Sequence, residues 1–159
     1  MNKQPNSRMC FVCGLQNPVG LHLAFYEDHA SDPKQVCAQV VIPAQYQGYP
    51  GVAHGGVLAA ILDEVAGRAT LIGGSADDLM MTLKMELRYR LPTPTETLLT
   101  GAGWITQRRG NRALAHGELR LPDGRVSVEA DLVLMRPPGD VADVWEAEKP
   151  FWKVYPDES

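Results

Sequence analysis

Val57-Leu58-Ala59-Ala60-Ile61-Leu62-Asp63-Glu64-Val65-Ala66-Gly67-Arg68-Ala69-Thr70-Leu71-Ile72 is apolar almost throughout, interrupted by Asp63, Glu64, Arg68 and Thr70, and contains no proline. A helix apolar on nearly every side is a buried one. Its alanines are good helix formers, and Gly73-Gly74 is a natural stop. At 3.6 residues per turn the run predicts a helix of about four turns. Downstream, Met81, Leu83, Met85, Leu87, Tyr89 and Leu91 alternate with Thr82, Lys84, Glu86, Arg88 and Arg90. That period of two predicts a long strand with one face on the core. Pro92-Thr93-Pro94 ends it, and strands over 97–107, 112–121 and 125–135 follow, separated by Arg108-Arg109-Gly110-Asn111 and Pro122-Asp123-Gly124.

Upstream, the apolar runs 21–26 and 36–42 flank the polar turn 28–34 and predict a hairpin. One buried helix and about six antiparallel strands, in the order strand, strand, helix, four strands, predict an α+β domain whose curved sheet wraps a long central helix. One helix leaves part of so broad a sheet uncovered, and edge strands need protection. At least a dimer is therefore expected, a homo-oligomer of two copies or a dimer of dimers.

With 159 residues and 45% hydrophobic against 21% charged residues, the chain has the size and composition of one globular domain. A net charge of −4 and a pI near 5.5 disfavour nucleic acid as a partner, because phosphate backbones are bound by basic surfaces. No apolar run approaches the ~20 residues of a membrane span, and the polar start lacks a signal-peptide core. The expectation is a cytoplasmic protein without a membrane partner. Three cysteines, Cys10, Cys13 and Cys37, form no disulfide framework. Cys10-x-x-Cys13 has metal-chelating spacing, but no second such pair and no His-x-x-x-His complete a four-ligand set, so no metal is expected. The reading favoured for the pair is a small apolar turn.

His54-Gly55-Gly56 immediately precedes the helix. The glycines leave the backbone amides of the first turn open to an oxyanion or acyl carbonyl, which the helix dipole also favours. Charged residues inside an apolar helix are costly unless paired or used. Glu64 has Arg68 four residues on, in the favourable orientation for an ion pair. Asp63 has only Ala59, Ala60, Ala66 and Gly67 at its neighbouring positions, and its burial suits a general base with a raised pKa. Asp63 is the candidate catalytic acid; Glu64 takes that role if the helix is rotated.

The run Tyr46-Gln47-Gly48-Tyr49-Pro50-Gly51-Val52-Ala53-His54-Gly55-Gly56, with Asp63 nine residues after the histidine, resembles the hotdog-fold acyl-CoA thioesterases of the phenylacetate-pathway (PaaI-like) type. Cys10-Phe11-Val12-Cys13-Gly14 with Asn17-Pro18-x-Gly20-Leu21 is similar to the opening of many members. The resemblance runs from about Cys10 to Met135. It implies hydrolysis of an acyl-CoA thioester without a further cofactor. Asp63 activates water or attacks the carbonyl, the amides of Gly55 and Gly56 polarise that carbonyl, and His54 orients the loop or contacts the thioester. It also implies a site built between two subunits.

Tyr49, Val57 and Thr82 are candidates for substrate contact. Arg88, Arg90, Arg108 and Arg109 are candidates for the coenzyme phosphates by charge-assisted hydrogen bonds. The domain is expected over 1–136, with 1–19 as a lead-in. The segment 137–159 carries Trp145, Phe151, Trp152 and Tyr155 and is expected to pack on the domain or at an interface. An acyl-thioester hydratase or dehydratase, or a non-hydrolytic acyl-CoA sensor, are the alternatives on the same scaffold.

Overall fold

The computed structural model describes residues 1–156. In chain order the elements are β1 (Asn2–Lys3), β2 (Tyr26–Asp28), β3 (Gln35–Val41), β4 (Gln47–Tyr49), β5 (Val52–Ala53), α1 (Gly55–Gly67), β6 (Met81–Tyr89), β7 (Leu98–Arg109), β8 (Arg112–Arg120), β9 (Val126–Met135) and α2 (Gly139–Trp145). Seven strands form one sheet in the order β1-β2-β3-β7-β8-β9-β6, every neighbouring pair antiparallel, and β4 and β5 form a separate small ribbon. The architecture is therefore α+β, a central helix against an antiparallel sheet. Among the described residues no helix is long and apolar enough to cross a membrane.

The helix begins two residues before the predicted start and runs as α-helix only to Gly67, where a 3-10 turn over Arg68–Leu71 continues it. Leu58, Ile61, Leu62, Val65 and Ala66 form its buried stripe, at the i, i+3, i+4 spacing of one face. Against those core side chains lie Leu99, Leu119, Leu132 and Leu134 of the sheet. Each large side chain so buried contributes roughly 1.5–3 kcal/mol. The helix is thus not buried all round. Ala59, Ala60, Asp63 and Glu64 are only partly covered, because the sheet of one chain curls around a single stripe.

The helix crosses β7 so closely that a Cβ at Gly103 would stand 2.5 Å from the Val65 carbonyl oxygen. Only glycine fits there.

The first predicted hairpin is shorter than its apolar runs, since β2 begins at Tyr26. The residues before it are held elsewhere: Leu21 and Leu23 donate their amides to the carbonyls of Phe11 and Val12, and Asn6 Nδ2 donates to Leu23 O. The C-terminal segment lies against the same lead-in. Asn6 N donates to Lys153 O at 3.0 Å, Arg8 N donates to Glu148 at 2.6 Å, and Trp152 stacks at 5.1 Å from the Arg68 guanidinium.

β6 departs most from its pattern. It forms an edge of the sheet, so Met81, Leu83 and Tyr89 are 47%, 53% and 56% exposed instead of buried. A bulge also interrupts its pairing with β9: Thr82 faces Leu134 and Lys84 faces Val133, leaving Leu83 unpaired. The extra residue reverses the alternation. Met85 and Leu87 point to the helix side as predicted, but beyond the bulge it is Thr82 that does so.

Candidate active site

Thr82, turned inward by that bulge, donates its hydroxyl to Asp63 Oδ1 at 2.5 Å. Asp63 stands half-buried on the flank of α1 that faces the edge strand. Loss of water around it pushes its carboxyl above the ordinary aspartate value, the Thr82 hydrogen bond opposes that shift, and the neighbouring Glu64 charge adds to it. A carboxylate poised in this way accepts a proton more readily than an exposed one.

Glu64 points elsewhere. It accepts from Arg68 Nε at 2.7 Å, the predicted ion pair, while Arg68 is buried, stacks on Phe25 at 4.3 Å and donates to Pro5 O. The helix is not rotated so as to exchange the two acids.

At the start of α1, His54 is the N-cap, and its Nδ1 accepts from Gly56 N at 2.9 Å. The Gly56 amide is therefore engaged by the cap, and the carbonyl of His54 takes the amides of Val57 and Leu58. That leaves Gly55 N as the donor of the first turn with no partner among the described residues. Tyr89 closes over this end, its hydroxyl donating to Gly55 O at 2.9 Å. No charge or motif had marked Tyr89, which the period-two pattern reads as one more core position. A cleft of about 530 Å³ opens here, lined by Tyr49, Ala53, Gly55, Leu58, Tyr89 and Arg90. Val57 lies partly buried against the core.

Asp63 and Gly55 are eight residues apart on α1, about 12 Å along its axis at 1.5 Å per residue. Within one chain they do not meet.

The four arginines fall in two separate places, with Arg88 and Arg90 meeting on Glu129. Arg88 pairs with Glu86, Glu129 and Asp131, and Arg90 with Glu129 at 2.6 Å. Arg108 lies at the far end of the sheet, donating to Thr70 O and Asp78, with Arg109 exposed beside it in the row of Arg112, Met135 and Met81. Of the four, Arg90 lines the cleft at the helix start. Another cavity, about 420 Å³, lies beneath α2 between Leu79, Met80, Met81, Pro137 and Trp145, and holds neither Asp63 nor His54.

The profile of the thioesterase superfamily matches residues 50–128, from the ribbon before α1 into β9, and the chain belongs to that superfamily. Residues of the chain are 34% identical over 71 positions to acyl-coenzyme A thioesterase THEM5 of Mus musculus, spanning 44% of this chain and about a quarter (27%) of that protein. A thioesterase superfamily protein of known crystal structure superposes with a TM-score of 0.71 at 33% identity, covering 80% of this chain and 63% of the other. A phenylacetic acid degradation-related protein of Ralstonia eutropha JMP134 shares the fold, with a TM-score of 0.61 at 22% identity over 70% of this chain and 83% of its own. The hotdog-type architecture expected from the sequence is thereby shown.

Proposed function

We propose that the protein hydrolyses acyl-CoA thioesters, using Asp63 of one copy and the α1 start of a second. The observation that carries this reading is the Thr82–Asp63 pair on the open flank of α1, a desolvated and oriented carboxylate beside an uncovered sheet edge. The name of the curated relative, an acyl-coenzyme A thioesterase, supports the substrate class.

In this reading Asp63 takes a proton from water as the water oxygen bonds to the thioester carbonyl carbon. The carbonyl oxygen becomes an oxyanion, stabilised by the free Gly55 N–H and the positive end of the helix. The C–S bond then breaks, and the proton held by Asp63 passes to the departing thiolate. The products are a carboxylic acid and coenzyme A. Because some 12 Å of helix separates Asp63 from Gly55 in one chain, a homo-oligomer that sets two helices side by side in opposite directions completes the site. Arg90, which lines the cleft, would meet a coenzyme phosphate once drawn from Glu129.

Thiol release from short-chain, long-chain and aromatic acyl-CoAs tests the reading, with Asp63→Asn and Glu64→Gln assayed alongside the native protein and sedimentation reporting its oligomeric state. Asp63→Asn is expected to keep the native circular dichroism and lose hydrolysis. Full hydrolysis by Asp63→Asn together with its loss in Glu64→Gln moves the role to Glu64 and sinks this assignment.

A further inference from the structure

The lead-in and α1 meet at a second chemical cluster. Cys10 Sγ accepts the backbone amides of Val12 at 3.3 Å and Cys13 at 3.5 Å. Two N–H groups aimed at one sulfur suit a thiolate. The turn that aims them is closed by Gly14, whose amide donates to Cys10 O at 2.8 Å, and a Cβ at Gly14 would fall 2.4 Å from Cys10 N. Cys13 Sγ is buried and lies 3.3 Å from Ser7 Oγ. A third group arrives from α1: the Cys10 thiol donates to Glu64 Oε2 at 3.7 Å, and the two sulfurs and a Glu64 carboxylate oxygen all lie within 4.8 Å of one another.

We propose that Cys10, Cys13 and Glu64 bind a zinc-type divalent cation, with the fourth position taken by water. Zinc lies about 2.3 Å from thiolate and about 2.0–2.2 Å from carboxylate ligands, so a tetrahedral site sets sulfur and oxygen about 3.5 Å apart. The Cys10–Glu64 separation is close to that edge. Arg68 holds Oε1, and Oε2, which accepts from the Cys10 thiol, is left to ligate once that thiol proton departs.

Charge supports the same assignment. Two thiolates and a carboxylate carry three negative charges, which the ion and the buried Arg68 guanidinium together cancel. Arg68 lies close enough to Cys13 for the two groups to interact, and its Nη2 is buried with no hydrogen-bond partner among the described residues. A metal-bound Cys13 sulfur is the acceptor chemistry that such a donor needs. On binding, the two thiol protons pass to solvent. The sequence argues against zinc because it holds no second cysteine or histidine pair; the remaining ligand is a helix residue accounted for by its ion pair. The ion would staple the lead-in to α1 one residue from Asp63, a structural role separate from hydrolysis.

The test uses the full chain without a polyhistidine tag, reduced, stripped with chelator and titrated with zinc or cobalt(II). The expected result is one ion per chain by elemental analysis, a thiolate-to-cobalt charge-transfer band, and a higher melting temperature with zinc. Cys10→Ser is expected to lose the band and stoichiometric binding, and Cys37→Ser to keep both. Should Cys10→Ser fail to fold, the cobalt spectrum of the native chain decides alone: a tetrahedral thiolate spectrum supports the site, and its absence overturns it. Unchanged binding in folded Cys10→Ser also overturns it, as does a Cys10–Cys13 disulfide formed by peroxide at the same rate with and without zinc.

Discussion

Thr82 reaches Asp63 only because β6 is bulged at Leu83. Without the extra residue the strand would turn the hydroxyl to the outer face and offer Asp63 an aliphatic side chain. The bulge therefore belongs to the site as much as the carboxylate does. Thr82→Val keeps the shape and removes the donor. It is expected to lower kcat about tenfold, the worth of a hydrogen bond of roughly 1.4 kcal/mol, with little change in KM. Steady-state thiol release checks this; a fall in melting temperature at unchanged kcat would mean that the threonine only supports the fold.

The outline of the fold was legible because it follows periodicity. The four strands of the second half were located to within a residue or two at each end, and the Glu64–Arg68 pair follows from spacing alone. What was not legible depends on backbone geometry without a residue signature. A bulge shifts parity without any glycine or proline at the position, so Thr82 read as outward-facing. His54 read as orienting the loop or contacting the thioester, and nothing in the sequence shows its ring folding back to cap Gly56. Tyr89 was hidden in a run of apolar positions, and its hydroxyl acquires meaning only when α1 begins beneath it.

Arg68 ties three segments together: Glu64 of α1, Pro5 of the lead-in, and Trp152 of the C-terminal segment. Arg68→Met removes a buried cation and leaves its partners unmatched. The expected cost is about 3 kcal/mol, at the lower end for breaking a buried ion pair, because Glu64 keeps some contact with water. Chemical denaturation followed by tryptophan fluorescence measures it.

Two glycines near the helix should respond oppositely to alanine. Gly103→Ala drives a methyl group into the Val65 carbonyl and is expected to destabilise by about 1–3 kcal/mol. Gly67 has ordinary helical angles and nothing within 4 Å of an added Cβ, so Gly67→Ala is expected to stabilise by roughly 0.5–1 kcal/mol. Thermal melts of both variants check the pair, and the same sign in both would contradict the close helix–strand approach.

Glu129 lies nearly buried beneath Arg88 and Arg90, and hydrogen bonds from Arg90 first, then the surrounding positive charge, hold its carboxyl below the usual glutamate value. A carboxyl lowered in the folded state contributes stability above its unfolded pKa and loses it as pH falls through the folded one. Native protein should therefore lose stability below about pH 4.5, the ordinary glutamate range. Glu129→Gln should be less stable at pH 7 by about 1 kcal/mol and show a shallower acid decline. Melting temperatures across pH 3 to 7 compare the two, and parallel acid limbs would remove Glu129 as a contributor.

The interrupted ladder of β6 also restricts how two copies can join. A regular partner strand finds an unbroken edge only over 84–89, so an edge-to-edge pair must place its two-fold axis inside that stretch. An axis through Glu86 sets Lys84 opposite Arg88, like charge against like. Moved one residue to Leu87, the axis sets Glu86 opposite Arg88 and Met85 opposite Tyr89, and the one like-charge pairing, Lys84 with Arg90, falls past the end of the stretch where Glu129 holds Arg90, so charge favours the second register over the first.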